Sequence, residues 1–169
     1  SPGLRDAVAV WDIELMAGGV ALNRVSHIHG QGYADLNLVM PEVVRSIRVI
    51  EGVYDPRQGD FAVAGSIHFD LGVVERGLAL TSRYGRFNTF RQTIVFAPRG
   101  EDEETFGAAF FSRTDGFGQN RGGLSGGAIG QYAFRLPLGF SGLLHAAAFG
   151  ARAGLAGVIR NEDLASVGF

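Results

Sequence analysis

From residue 73 onward the chain runs in strand-length blocks whose residues alternate between two faces, and this period of two most limits the folds open to it. Leu78, Leu80 and Tyr84 fall opposite Glu75, Thr81 and Arg83, and Phe90, Ile94 and Phe96 fall opposite Thr89, Arg91 and Thr93, with Gln92 out of pattern. Phe106, Ala108 and Phe110 stand against Thr105, Gly107 and Arg113; Ala128, Tyr132, Phe134 and Leu136 stand against Gln131 and Arg135. A block from Phe140 to Arg152 alternates more weakly. The pattern predicts a series of antiparallel strands with even positions on the apolar face. Composition agrees: Gly makes up 26 of 169 residues, while 46% hydrophobic and 19% charged content excludes a disordered tail or a collagen-like repeat.

Residues 8–71 read differently, as a compact mixed α/β part. Val8 to Leu15 alternates up to a turn at Gly18-Gly19, and Pro41 to Ser46 reads as one or two helical turns with Pro at the first position. Ile47 to Ile50 reads as a buried strand, residues 52–59 as a turn, and Ala64 to Leu71 as another strand. The change of texture puts a joint near Leu71 to Val73.

The strand blocks approach the roughly 9 to 11 residues of a tilted transmembrane β-strand, with aromatics near their ends. A soluble sandwich would show the same alternation. Loop lengths favour the membrane alternative: Gly85 to Asn88 and Leu136 to Gly139 are tight, whereas Pro98 to Glu104 and Thr114 to Gly127 are longer and polar or Gly-rich. A membrane-spanning helix is excluded, because the longest uncharged run, Leu136 to Ala151, falls short of about 20 apolar residues and contains Pro137, Gly139 and Gly142.

The stretch from Ile47 to Phe69, with Glu51-Gly52, Asp55-Pro56 and the Gly59 to Gly65 spacing, resembles the end of the plug domain of TonB-dependent outer-membrane receptors. Gly18-Gly19-Val20-Ala21-Leu22-Asn23 is similar to a hairpin of that family, and Ser26 to Leu36 is similar to a loop in one branch of it. Arg48 and Glu51 exchange the family's usual charges, Val53 replaces a common Pro, and His68 a common Asn. The resemblance implies a mainly β chain: residues 1–72 as the C-terminal part of a plug, a small α/β unit, and residues 73–169 as the first antiparallel strands of an incomplete transmembrane β-barrel of about 22 strands. It further implies a non-enzymatic receptor in the outer membrane of a Gram-negative bacterium. Such a receptor takes up a scarce solute such as a metal chelate and is driven by a TonB-type partner that engages a segment outside this sequence. On this reading the sequence is a fragment, and outer-membrane lipid is a further partner. The alternative is a complete soluble β-rich ligand-binding module.

A net charge of −2 disfavours nucleic acid, and the absence of Cys removes disulfides, thiolate metal sites and a thiol nucleophile. No Gly-x-Ser-x-Gly elbow or phosphate-loop ending occurs, so neither catalysis nor a bound cofactor is expected. His27, His29 and Asp35 provide ligand types but too few for a metal site; His68 and His145 stand singly in strands. The acidic run Glu101 to Glu104 reads as a solvated turn. His27, His29, Gln31 and Tyr33 are the candidate ligand contacts, in a loop that either faces the solute at the extracellular apex or is held internally by its own hydrogen bonds. Gly52, Gly59 and Gly65 are the plug turn glycines, permitting tight turns and close backbone approach. Arg48 or Glu51 is expected to pair with a charge on the barrel's inner face, with Arg83, Arg91 and Glu75 as candidates.

Overall fold

Two glycines with positive φ, Gly18 at 55° and Gly19 at 81°, fold the chain back between β1 (Ile13–Ala17) and β2 (Val20–Ala21), a turn that most L-residues resist. The computed structural model describes residues 12–27, 31–100 and 102–155, so Val8 to Trp11 of the first alternating block lie outside the described residues. β3 (Val44–Glu51) and β4 (Gly65–Leu71) complete a four-stranded sheet of order β2-β1-β4-β3, with β1 parallel to β4 and the other pairs antiparallel. One face carries Leu15, Ala17, Phe69 and Leu71; the other carries Glu14, Ser66, His68 and Asp70. Between β2 and β3 the chain makes two 3-10 turns, Leu36–Leu38 and Pro41–Val43. Asp35 starts the first by accepting from the Asn37 amide at 2.9 Å, and Pro41 opens the second.

The second sheet is an antiparallel meander, β5 (Gly77–Gly85), β6 (Thr89–Ala97), β7 (Phe106–Thr114), β8 (Gly123–Arg135) and β9 (Ser141–Ala153), hydrogen-bonded in that order, and among the described residues both its edges are unpaired. The division between the sheets falls between Leu71 and Gly77, where the texture changes. Arg76 holds this junction, donating to the carbonyls of Val73, Pro98 and Thr105, each at 2.8 Å. The four-stranded unit lies on one face of the meander. Ala17, Met40, Val43 and Leu71 form a single buried cluster with Val95, Ala97, Phe106, Ala108 and Ile129.

The opposite face of the meander carries Leu78 and Leu80 of β5, Ile94 and Phe96 of β6, Ala109 of β7, Ala128 of β8 and Ala148 of β9, and nothing among the described residues covers it. Leu78 is 63% and Leu80 65% exposed, whereas Val95, one residue from Ile94, is 9%. Ser82 and Gln92, the polar pair on this side, satisfy each other at 2.6 Å.

Several expectations are corrected. Among the described residues, helical structure is confined to short 3-10 turns, so the described portion of the first part is a β-sheet unit without an α-helix; Pro41 to Ser46 gives one 3-10 turn and then enters β3. β3 is exposed along Ile47 and Val49, because it is the edge strand of its sheet. The even-position rule fails at β7. Phe96 pairs with Gly107, so an even residue faces an odd one and Phe106, Ala108 and Phe110 turn inward onto the four-stranded unit. Ser125 to Gly127, read as loop, is ladder within β8. Gly127 is needed there because a Cβ would stand 2.9 Å from Phe110, whose ring stacks across it on Phe149. The loop lengths also do not segregate. The tight turn 86–88 and the longer loop 115–122 share one end of the sheet; 98–105 and 136–140 share the other.

Candidate functional site

The loop following β2 is closed at its base by Asn23. Its side chain accepts from the Leu15 amide at 2.7 Å and donates to the carbonyls of Ile13 at 3.0 Å and Gly32 at 2.9 Å, while Asn23 also bridges Ala34. Within the loop the His27 and Tyr33 rings stack with centroids 4.3 Å apart; Gln31 lies exposed in the return turn, and His29 lies outside the described residues. Asp35 is engaged by Asn37. The loop base sits at the Ile13 end of β1, away from the Gly18-Gly19 turn that meets the meander. Asn23→Ala removes three hydrogen bonds and strands buried backbone groups. An expected loss of about 1–3 kcal/mol, with faster proteolysis at residues 24–33, is measurable by denaturant melts and limited digestion.

The three turn glycines are held in separate ways. Gly52 has φ of 78°, and its carbonyl accepts from Gln58 Nε2 at 2.9 Å; the same nitrogen reaches Ser66 Oγ at 3.1 Å. Gly59 donates its amide to both Glu14 oxygens at 3.0–3.1 Å, and a Cβ there would stand 2.5 Å from one of them. Gly65 has φ of 148° and lies against the Ile50 carbonyl. Glu14, buried at the centre of this turn system, had been visible in the sequence only as one member of an alternating run.

Arg48 does not reach the second sheet. It forms a two-pronged pair with Asp70 at 2.8 and 2.9 Å inside its own sheet, with Ser46 donating to the same carboxylate. The Arg48 hydrogen bonds, supported by Ser46 and opposed by partial burial, hold the Asp70 carboxyl down at about 2. Because the folded value lies below the ordinary one of 3.8, the contribution to stability is complete above about pH 4–5 and is lost as pH falls through about 2. Asp70→Asn is expected to flatten that part of the pH–stability profile, which urea titrations from pH 5 to 2 would read.

The ion pairs between the two sheets come instead from Glu42 and Arg45, residues with no role assigned from sequence. Arg45 meets Glu103 at 3.0 Å on the surface. Glu42 meets Arg91 at 3.1 and 3.2 Å, accepts from Thr93 Oγ1 at 3.3 Å, and is 17% exposed. Beyond this pair opens a cavity of about 440 Å³ between the 3-10 turns and the inner face of the meander, bordered by Leu36, Asn37, Val39, Arg83, Arg91 and Phe110. Arg91 lies over the Phe110 ring, Cζ 4.1 Å from its centroid. At the opposite end of the interface, Gln131 Oε1 and His145 Nδ1 are buried beside Gly18 without hydrogen-bond partners among the described residues.

Comparison with protein-family models, with curated proteins and with solved structures gives no match to this chain. The chemistry of the cavity is therefore argued from its residues. It offers two guanidinium groups, one carboxylate already seated on one of them, an amide and an aromatic face. Among the described residues no three His, Asp or Glu side chains converge on one point. The arrangement offers charge-assisted hydrogen bonds to an anion beside an apolar surface.

Proposed function

We propose that the chain belongs to an outer-membrane receptor of the TonB-dependent kind, residues 1–72 contributing to the plug and 73–169 to the first strands of the wall. The observation that carries this reading is the two-sidedness of the meander. A folded unit is packed on one face, and an apolar face with Leu78, Leu80, Ile94 and Phe96 is left uncovered by the described residues on the other. Monomeric soluble proteins rarely leave so continuous an apolar area open, whereas a membrane wall requires it. Open edges at β5 and β9 fit the same reading, because backbone in lipid must be satisfied by closure with further strands.

In this function the solute arrives from outside, reaches the cavity between plug and wall, and passes inward when a TonB-type partner rearranges the plug. Glu42–Arg91 and Arg45–Glu103 are the ion pairs that such a rearrangement must break. The candidate contacts His27, Gln31 and Tyr33 belong to a loop held from Asn23, at the end of the plug sheet remote from Gly18. Fractionation of cells expressing the full-length protein tests the proposal. Recovery in the outer membrane as a heat-modifiable band supports it; recovery in the soluble fraction favours the soluble binding module and overturns it.

A further inference from the structure

Arg83 and Arg91 are direct cross-strand partners on the inner face of the meander, an arrangement of like charges that is unfavourable unless something neutralises it. Glu42 neutralises only one of them. Its carboxylate sits on Arg91, leaving Arg83 with no hydrogen bond or ion pair among the described residues, exposed at the mouth of the 440 Å³ cavity. The volume lies within the range of small-molecule sites, and the remaining border combines Phe110, Leu36 and Val39 with the amide of Asn37.

We infer that this cavity binds a carboxylate-bearing solute, with Arg83 gripping the carboxylate and Arg91 and Phe110 receiving the rest of the molecule. Three observations converge. The site carries one more guanidinium than carboxylate, and no group among the described residues pairs with Arg83. Glu42 on Arg91 demonstrates that a carboxylate fits the guanidinium at this place with two oxygens engaged. Phe110, with the Arg91 Cζ 4.1 Å from its ring centroid, borders the same cavity and gives it an apolar surface for the rest of the solute. A solute with a second carboxylate also competes with Glu42 for Arg91. Occupancy then loosens the attachment of the Pro41–Val43 turn to the wall and couples binding to the plug. This coupling rests on the receptor reading; the anion site itself does not.

The test uses the full-length protein in detergent and phthalate as probe, with inorganic phosphate in a parallel titration, followed by calorimetry. The expected result is saturable phthalate binding that Arg83→Gln weakens about tenfold or more, that Arg83→Lys weakens less, and that Glu42→Gln strengthens several-fold by removing the internal competitor. Phosphate is expected to bind more weakly, lacking a body for the Phe110 face. Absence of saturable phthalate binding, phthalate binding unchanged in Arg83→Gln, or phosphate binding the tighter of the two would overturn the assignment. Fractionation separates the two levels: Arg83-dependent binding in a protein recovered as soluble keeps the site and removes the receptor, whereas an outer-membrane protein indifferent to Arg83→Gln keeps the receptor and removes the site.

Discussion

Alanine at position 65 is expected to prevent the four-stranded unit from holding its edge strand, at a cost of more than about 3 kcal/mol. Gly65 opens β4 with φ of 148°, a conformation that L side chains rarely adopt, and it pairs with Glu51 at the end of β3. A Cβ there would run into the Ile50 carbonyl, with the Gly52 amide and Glu51 Cα at 3.2–3.3 Å behind it, so the clash is with backbone on both strands and no side chain can swing away. Strain of about 1–3 kcal/mol adds to the lost β3–β4 pairing. Denaturant melts of the full-length protein would read the loss, and hydrogen exchange would place it at residues 44–51. Gly19→Ala, where a Cβ meets nothing within 4 Å, serves as a milder comparison at another positive-φ glycine.

The second large effect separates the membrane from the soluble reading at a single residue. Ile94 is central in β6, outward-facing and 41% exposed. Arginine there is expected to cost about 2–4 kcal/mol if the face meets the middle of a bilayer, and to lie within about 0.5 kcal/mol of wild type if it meets water. The heat-modifiable, correctly assembled fraction in the outer membrane is the readout. Arginine at Val95, which is buried against Ala108 and Ile129, should destabilise under either reading, so the contrast between neighbours carries the information.

Much of this architecture was legible in the residues. Alternation located the strands from Gly77 onward, and the change of texture near Leu71 marked where one sheet ends and the other begins. What failed did so where a local pattern depends on a distant partner. The faces of β7 could not be read without the length of the turn at 98–105, since one residue more or less reverses every side chain. Arg48 was expected on the far wall, yet its register partner is His68, and from there the long side chain reaches the diagonal neighbour Asp70. Glu42 looked like an interior position of a helical turn; the 3-10 geometry after Pro41 instead aims it at Arg91, 49 residues on in the chain, and nothing local announces that contact. The candidate ligand loop was recognisable, but Asn23, which holds it, stood in the sequence only as the last residue of the hairpin motif.

Contact between the outward face of the meander and lipid is directly measurable, because these 169 residues contain no cysteine. Single cysteines at Leu80, Ile94 and Ala109 on the outward face, and at Leu138 in the 136–140 turn, would carry nitroxide labels in the full-length protein reconstituted into vesicles. Collision with oxygen, which concentrates in lipid, and with a water-soluble nickel chelate reports each label's surroundings. High oxygen and low nickel accessibility at 80, 94 and 109, with the reverse at 138, is the result expected of a lipid-facing sheet; nickel accessibility at 80, 94 and 109 as high as at 138 excludes lipid contact.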